Sequence, residues 1–341
     1  MKVLLICGGK SSENKISRMS ALNIRKYLNK YDLTKVVIDS NGKWYQTDEI
    51  NISDNYLDNG LEIDNIIKYL KEFDVVFPAL HGIYGEDGTI QGLFEIAGVP
   101  YVGLNVFASS LTMNKIYTKR YLERFDIPVV PYLFVQMIDN KYYIIGADKK
   151  YENINEIVRE KLDYPVFVKA SNGGSSIGSY KVLKEDDLIE TIKKASIYDK
   201  NILIEKYINA RELECAILGN NDLIVSEVGE IIPHGDFYSY ESKYTDKESK
   251  VRIPALINND DKIFIQNLAK KIFTLIGGTG LSRIDFFLDK NNGKIYLNEI
   301  NGMPGFTDIS MYPLLIKNLG ISGEELCDKL INLAIERFKN E

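Results

Sequence analysis

The sequence is poor in the residues that mark several protein classes. Its 341 residues hold three cysteines, two histidines and one tryptophan. Cys7, Cys215 and Cys327 are odd in number, far apart and set in apolar stretches. That excludes a disulfide framework and a cysteine zinc site, and points to buried thiols in a reduced, cytoplasmic protein. No run is long and apolar enough to span a bilayer. The opening run Val3–Cys7 is too short for a signal peptide and ends in Gly8-Gly9, a turn rather than a cleavage site, so it reads as a first strand. Positive charge is not in excess: 42 Lys and Arg against 48 Asp and Glu leave a net −6. Without a basic, aromatic-interleaved patch, nucleic acid is not an expected partner, although a local nucleotide site remains open. Internal repeats and low-complexity tracts are missing too.

The rest is ordinary globular composition, 45% hydrophobic and 26% charged, enough for about two or three compact units. The first hundred or so residues alternate strand and helix: Val3–Cys7, a helix from near Ile16, Val37–Asp39, a turn at Asn41-Gly42 before Trp44, Val75–Leu80 and a helix over Thr89–Ala97. This predicts a doubly wound α/β unit with functional loops at the carboxyl ends of its strands, where Glu13 and His81 fall. A helix is expected from Val106 to Phe125, ended before Pro128 and Pro131. Mixed elements follow: strands at Tyr142–Ile145, Val166–Lys169 and Ser179–Val182, and helices at Ile154–Leu162 and Glu185–Ala195. A third region carries strands Leu203–Tyr207, Glu214–Leu218 and Ser282–Leu288, a long loop over Asp236–Arg252, a helix Asp260–Ile276, a strand Lys294–Asn298 and a last helix after Ser322. The fold class is therefore α/β and α+β, with units expected at 1–104, 105–204 and 205–341.

Four constellations carry chemistry. In Ser282–Leu288, alternation puts Arg283, Asp285 and Phe287 on one face. A three-residue loop, Asn291-Asn292-Gly293, would set Asp285 opposite Glu299 and Arg283 opposite Asn301. Two carboxylates and an amide oxygen a few ångström apart suit hard divalent cations such as Mg²⁺. A cross-strand surface cluster is the blander reading, but these carboxylates sit in apolar strands ahead of Gly302-Met303-Pro304-Gly305. Second, Lys169 ends a strand before Ser171–Gly178, a Gly/Ser loop able to hold phosphate through amides, hydroxyls and one ammonium. Its spacing is neither a Walker A nor a dinucleotide fingerprint. Third, His81–Gly88 follows a buried strand; position favours His81, and nothing favours His234. Glu13 is either a helix-start carboxylate or an anchor for a substrate ammonium. Fourth, Asp236–Tyr244 is aromatic and charged within a loop too long for a simple connection, as a lid would be.

Together these segments resemble the D-alanine–D-alanine ligases of the ATP-grasp superfamily. The likeness runs in order from Cys7 to about Tyr312: Gly8-Gly9…Ser12-Glu13, Leu80-His81-Gly82…Gly85–Gly92, Phe167-Val168-Lys169…Gly174-Ser175-Ser176…Gly178, Tyr238…Lys243-Tyr244, Arg283-Ile284-Asp285, and Asn298–Asn301…Pro304–Thr307…Ser310–Pro313. The resemblance implies an ATP-grasp fold and a two-step ligation: a carboxylate attacks the γ-phosphate of ATP, and an amine then attacks the acyl phosphate. It implies two Mg²⁺ (or Mn²⁺) held by Asp285, Glu299 and Asn301, and phosphate contacts from Lys115 and Lys169. Glu205, Lys206, Tyr207, Ile208 and Glu212 would bind adenine and ribose, with Ser176, Lys243 and Phe287 completing the nucleotide site. Glu13 would hold the ammonium of the first D-alanine, with His81 near its carboxylate; Ser175 and Tyr244 would join Glu13 in a hydrogen-bonded closure. Arg283 and the Gly305 amide would stabilise the oxyanion, while Ser310, beside Met311, would bind the second D-alanine. Family habit implies a cytoplasmic homodimer in peptidoglycan precursor synthesis. The rival products are D-Ala–D-Ser and D-Ala–D-lactate; Met311, where the serine enzymes carry Arg, and Tyr244, which the lactate enzymes lack, favour D-alanine. Four positions depart from the family pattern: Asn14 for His, Asn114 for Asp, Ala170 for Pro and Gly302 for Thr. Gly302 is expected to loosen the second substrate site.

Overall fold

The computed structural model describes residues 1–53, 57, 60–147, 151, 153–174, 177–232 and 250–340. The first sheet is built by β1 (Lys2–Gly8), β2 (Asp32–Ile38), β3 (Trp44–Thr47), β4 (Leu61–Glu62) and β5 (Val75–Pro78), in the order β4-β3-β2-β1-β5. β1 is central and parallel to both β2 and β5, while β3 and β4 return antiparallel. Helix α1 (Asn14–Tyr27) covers one face, and α2 (Ile66–Leu70) and α3 (Thr89–Ala97) cover the other. Val3, Leu4, Leu5, Ile6 and Cys7 are thus buried on both sides, which explains their unbroken apolar run.

The single helix expected over 106–125 is two, α4 (Val106–Met113) and α5 (Lys115–Glu123). Asn114 breaks it: its backbone is extended, and its side chain accepts from Tyr117 N, capping α5. Asn105 caps α4 in the same way.

The second sheet, order β7-β6-β10-β8-β9, is antiparallel throughout. Its strands are β6 (Tyr132–Ile138), β7 (Lys141–Ile144), β8 (Val166–Ala170), β9 (Ser179–Val182) and β10 (Asn201–Lys206). Helices α6 (Ile154–Lys161) and α7 (Leu188–Ser196) lie on one face. β6 was not expected, since it begins directly after the Pro128–Pro131 break. The expected unit boundary at 204 falls inside β10.

The third sheet has the order β13-β12-β11-β14-β15, with β11 (Ala210–Leu218), β12 (Ile224–Ile232), β13 (Lys250–Arg252), β14 (Leu281–Asp289) and β15 (Ile295–Asn301). α8 (Asn259–Leu275) packs on its outer face through Ile265, Leu268, Ile272 and Phe273. β12 went unread because its buried Ser226 and Gly229 hide the alternation. α9 (Met311–Asn318) was missed because of Pro313, which falls in the first turn, where a missing N–H costs nothing. The last helix, α10 (Gly323–Asn340), returns to the first sheet: Leu326, Leu330 and Ile331 share a core with Val3, Leu5 and Phe77. Among the described residues no helix is long and apolar enough to cross a membrane.

Candidate active site

Loops from all three sheets converge on one cavity of about 220 Å³. The first sheet contributes Glu13, His81 and Glu86, and the second contributes Lys115, Lys169, Gly173 and Gly174. The third sheet contributes Glu212, Glu214, Arg283, Asp285, Phe287, Glu299 and Asn301, and the loop after β15 adds Gly305, Ser310 and Met311. Glu205, Lys206, Tyr207 and Ile208 do not line it. Ser175, Ser176, Lys243 and Tyr244, with the lid segment and His234, lie outside the described residues.

Strand alternation places the acidic cluster. On β11, Glu212 and Glu214 pair with Phe287 and Asp285 of β14, and on β15, Glu299 and Asn301 pair with Asp285 and Arg283. The hairpin reaches this register differently from the expected way. Its loop has four residues, closed by Asp289 and Lys294, and an irregularity between Asp285 and Phe286 restores the pairing.

Arg283 is the hub of the cluster. Its Nε and Nη2 donate to Asp285 Oδ1 and Oδ2, both at 2.7 Å, and Nε lies 2.8 Å from Glu214 Oε2. Burial opposes its charge, yet Asp285 and Glu214 hold the guanidinium well above its ordinary pKa. Asn301 Nδ2 also donates to Asp285 Oδ2, at 2.9 Å, which leaves the amide oxygen of Asn301 as an acceptor. One guanidinium therefore serves two carboxylates, Glu214 and Asp285, with Glu299 paired opposite Asp285. Hard oxygen donors with surplus negative charge fit a divalent cation. Among the described residues there is no ready cluster of three His, Cys, Asp or Glu ligands; the candidate set here is two carboxylates and an amide.

Across the cavity the balance reverses. Glu205, fully buried, lies 2.6 Å from Lys119 Nζ and 2.5 Å from Lys169 Nζ. Burial pushes its carboxyl up, but the two ammonium groups outweigh it and hold the carboxyl down at about 2. Burial lowers Lys119, with Glu205 opposing. The carboxylate expected to meet adenine is thus committed to two lysines. Tyr207 stacks near Phe167, ring centroids 6.0 Å apart, with Lys181 over its ring. Lys115 Nζ donates to the Gly173 carbonyl, and Asn114 bonds Ser171 and Asn172, so α5 is fastened to the glycine loop.

Glu13 sits where the first sheet meets that loop. A Cβ on Gly82 would fall 2.5 Å from Glu13 Oε2, and one on Gly174 would fall 2.7 Å from it. Gly82 also has φ +74°, so both closeness and conformation require glycine there. Asn14 donates to the carbonyls of Gly9 and Ile38 and accepts from Arg18, so it serves the turn rather than the cavity.

His81 is committed on both ring nitrogens. Nδ1 lies 3.1 Å from the Met303 carbonyl, which can only accept, so Nδ1 carries the proton; Nε2 then accepts from Ser20 Oγ at 2.8 Å. Burial lowers its pKa, opposed by Glu13 and the Met303 carbonyl, which favours this neutral tautomer. Glu86 accepts from Gly82 N at 2.8 Å and from Met303 N at 2.9 Å. Burial, then Glu13, pushes its carboxyl up to about 8 against the pull of those two donors.

In the loop after β15, Ser310 Oγ accepts from Thr307 N at 3.0 Å and lies close to Gly305, where a Cβ would be 3.0 Å away. Met311 is buried against Gly229, whose Cβ would fall 2.7 Å from its sulfur. Gly302 does not open a gap: a Cβ there would meet Leu104 Cδ1 at 3.0 Å, so Leu104 already fills the space. Glu86, Lys119 and Glu214 have no role assigned to them from the sequence.

The family profile described as D-ala D-ala ligase N-terminus matches residues 2–104, and that described as D-ala D-ala ligase C-terminus matches residues 121–332. The chain is 44% identical to a D-alanine–D-alanine ligase of Acetivibrio thermocellus, covering 99% of this chain and 97% of that protein. It is 45% identical to D-alanine–D-alanine ligase B of Clostridium tetani, covering 98% and 94%. Among solved structures it resembles the D-alanine-D-alanine ligase of Coxiella burnetii, with TM-score 0.85 and 32% identity over 100% of this chain and 95% of that one. The VanG D-Ala:D-Ser ligase of Enterococcus faecalis has TM-score 0.83 and 34% identity over 98% and 99%.

Proposed function

The chain belongs to the D-alanine–D-alanine ligase family, and we propose that it joins two D-alanines into D-alanyl-D-alanine while converting ATP to ADP and phosphate. Its three sheets form the ATP-grasp fold of that family. The observation that carries the reading is the charge arrangement of the cavity. A carboxylate-rich face on β14 and β15 opposes Lys115 and Lys169, as phosphoryl transfer to a carboxylate requires.

The first D-alanine is anchored by its ammonium on Glu13, so that its carboxylate faces the γ-phosphate. Lys115 and Lys169 hold phosphate oxygens and screen the charge between nucleophile and ATP. Asp285, Glu299 and Asn301 would hold Mg²⁺, or Mn²⁺, which when bound neutralises the triphosphate. Attack on the γ-phosphate gives an acyl phosphate and ADP. The second D-alanine is held by its carboxylate at Ser310, and its amine, deprotonated, attacks the acyl carbon. Arg283 and the Gly305 amide face the oxyanion, and phosphate leaves. The activated group is the substrate's own carboxyl, so no side-chain nucleophile is needed. The buried Met311 packed on Gly229 presents an apolar wall to the acceptor, which favours D-alanine over D-serine. We place the activity in the cytoplasm, in peptidoglycan precursor synthesis, by a homodimer; these follow from the family rather than from the site.

Incubation with ATP, Mg²⁺ and D-alanine, alone or with D-serine or D-lactate in competition, followed by mass spectrometry, tests the reading. D-Alanyl-D-alanine is expected as the main product, with one phosphate per dipeptide. A mixed product formed in preference would overturn the acceptor assignment, and no ligation of any amino acid would overturn the activity.

A further inference from the structure

One residue of the loop after β15, Met303, is gripped through both of its backbone polar groups by one short loop of the first sheet. The Met303 N–H donates to Glu86 Oε1 at 2.9 Å, and the Met303 carbonyl accepts from His81 Nδ1 at 3.1 Å. These residues are more than two hundred positions apart in sequence; Met303 and His81 are buried, and Glu86 is half-buried. The grip is braced behind on both sides: Glu86 Oε2 holds Gly82 N, and His81 Nε2 holds Ser20, whose Oγ accepts from Phe306 N at 3.2 Å. Asn23 of α1 further donates to the Phe306 carbonyl at 2.7 Å. The stretch 303–306 is thus suspended from the first sheet at four backbone atoms, with Gly305 at its centre and Ser310 just beyond.

We propose that His81 and Glu86 form a two-sided clamp on the Met303 backbone, acting as positioning residues that fix the Gly305 amide and the Ser310 hydroxyl for the second amino acid. Both ring nitrogens of His81 are spent within the protein, so its effect on the reaction passes through Met303 and Ser20. Glu86 likewise spends an oxygen on each loop, so neither group need touch the substrate. This assignment rests on the ligase reading and adds a route by which the first sheet controls acceptor binding in the third. It separates two functions that a single cavity could blur, because the nucleotide lysines are anchored independently, through Glu205 and Gly173.

The test is steady-state kinetics of the full-length enzyme carrying Glu86→Gln, His81→Gln or both, with D-alanine and ATP varied separately. Gln at 86 turns one N–H acceptor into a donor, and Gln at 81 removes the ring geometry. Each single variant is expected to lower kcat/KM for the second D-alanine by roughly 10- to 100-fold, the range of buried supporting groups, while KM for ATP moves less than about twofold. Because both act on the backbone of one residue, the double variant should lose far less than the product of the single losses. Rescue is expected from His81→Asn, whose amide can still donate to the Met303 carbonyl, to within a few-fold of wild type. Multiplicative losses, or equal losses on the ATP and D-alanine sides, would overturn the clamp. Melting temperatures measured alongside separate loss of positioning from loss of fold. A wild-type enzyme that makes no dipeptide would instead refute the ligase reading, leaving these outcomes distinct.

Discussion

The second and third sheets both bury charge, and they do it with opposite sign. In the second, two ammonium groups, Lys119 and Lys169, share the single carboxylate of Glu205. In the third, the single guanidinium of Arg283 faces Glu214 and Asp285 within bonding distance, with Glu299 paired opposite Asp285. A buried ion pair seldom adds stability over an apolar packing of the same volume, so neither arrangement is explained by folding alone. The surplus charge is what distinguishes them: positive on the side we propose for phosphate, negative on the side we propose for the cations. Bringing the surpluses together across one cavity suits a metal-bound triphosphate, whose own charges alternate in the same way.

The contrast can be broken from either side. The largest effect is expected in the third sheet: Glu299→Gln or Asp285→Asn should lower phosphate release by roughly 10³-fold or more, the scale of losing a principal charge-stabilising group in phosphoryl transfer. Circular dichroism should stay unchanged, and excess Mn²⁺ should recover little. Unaltered turnover would remove the carboxylates from the cation site. In the second sheet the loss should be mainly one of stability. Lys119→Met strips a buried partner from Glu205 and should cost about 3–5 kcal/mol in urea unfolding. Lys169→Met, on the cavity wall, should instead weaken ATP binding.

Acid sharpens the same comparison. The Glu205 carboxyl is held at about 2 against an ordinary 4.5, so its ionisation favours the folded chain above pH 4.5. That contribution is lost as pH falls from about 4.5 toward 2. Glu205→Gln should flatten the stability curve over that window, and an unchanged acid limb would show that the two lysines do not hold the group down. The smallest effect concerns Gly302. Introducing Thr should cost about 1–3 kcal/mol by overpacking against Leu104, and Leu104→Ala should recover most of it. Equal stability of Gly302→Thr with and without Leu104 would disprove the contact.

Much of this contrast was legible in the chain, and the gaps have physical causes. The alternation Arg283-Ile284-Asp285-Phe286-Phe287 puts like residues on one face of a strand, so the acidic face could be read before any coordinate. Glu214 follows the same rule beside Leu213 and Cys215 and could have been read with it. Lys119 carries a weaker signal: it lies three residues from both Ile116 and Leu122, on the apolar side of α5. Glu86 stands in the segment His81–Gly88, but its role was not legible there, because its partner Met303 lies 217 residues away and only the fold brings them together. The hairpin register came out correctly from a loop one residue too short, since the irregularity beside Asp285 compensates for the longer turn. Gly302 was read as a loosening because the sequence does not show that Leu104 fills the space.

The central claim is that the β14–β15 face holds divalent cations against the phosphates of ATP. A crystal soaked with ADP and Mn²⁺, with anomalous diffraction collected for manganese, tests it directly. Anomalous peaks within coordination distance of Asp285, Glu299 and Asn301 are the expected result. Clear density for the nucleotide with no manganese beside those side chains would contradict it.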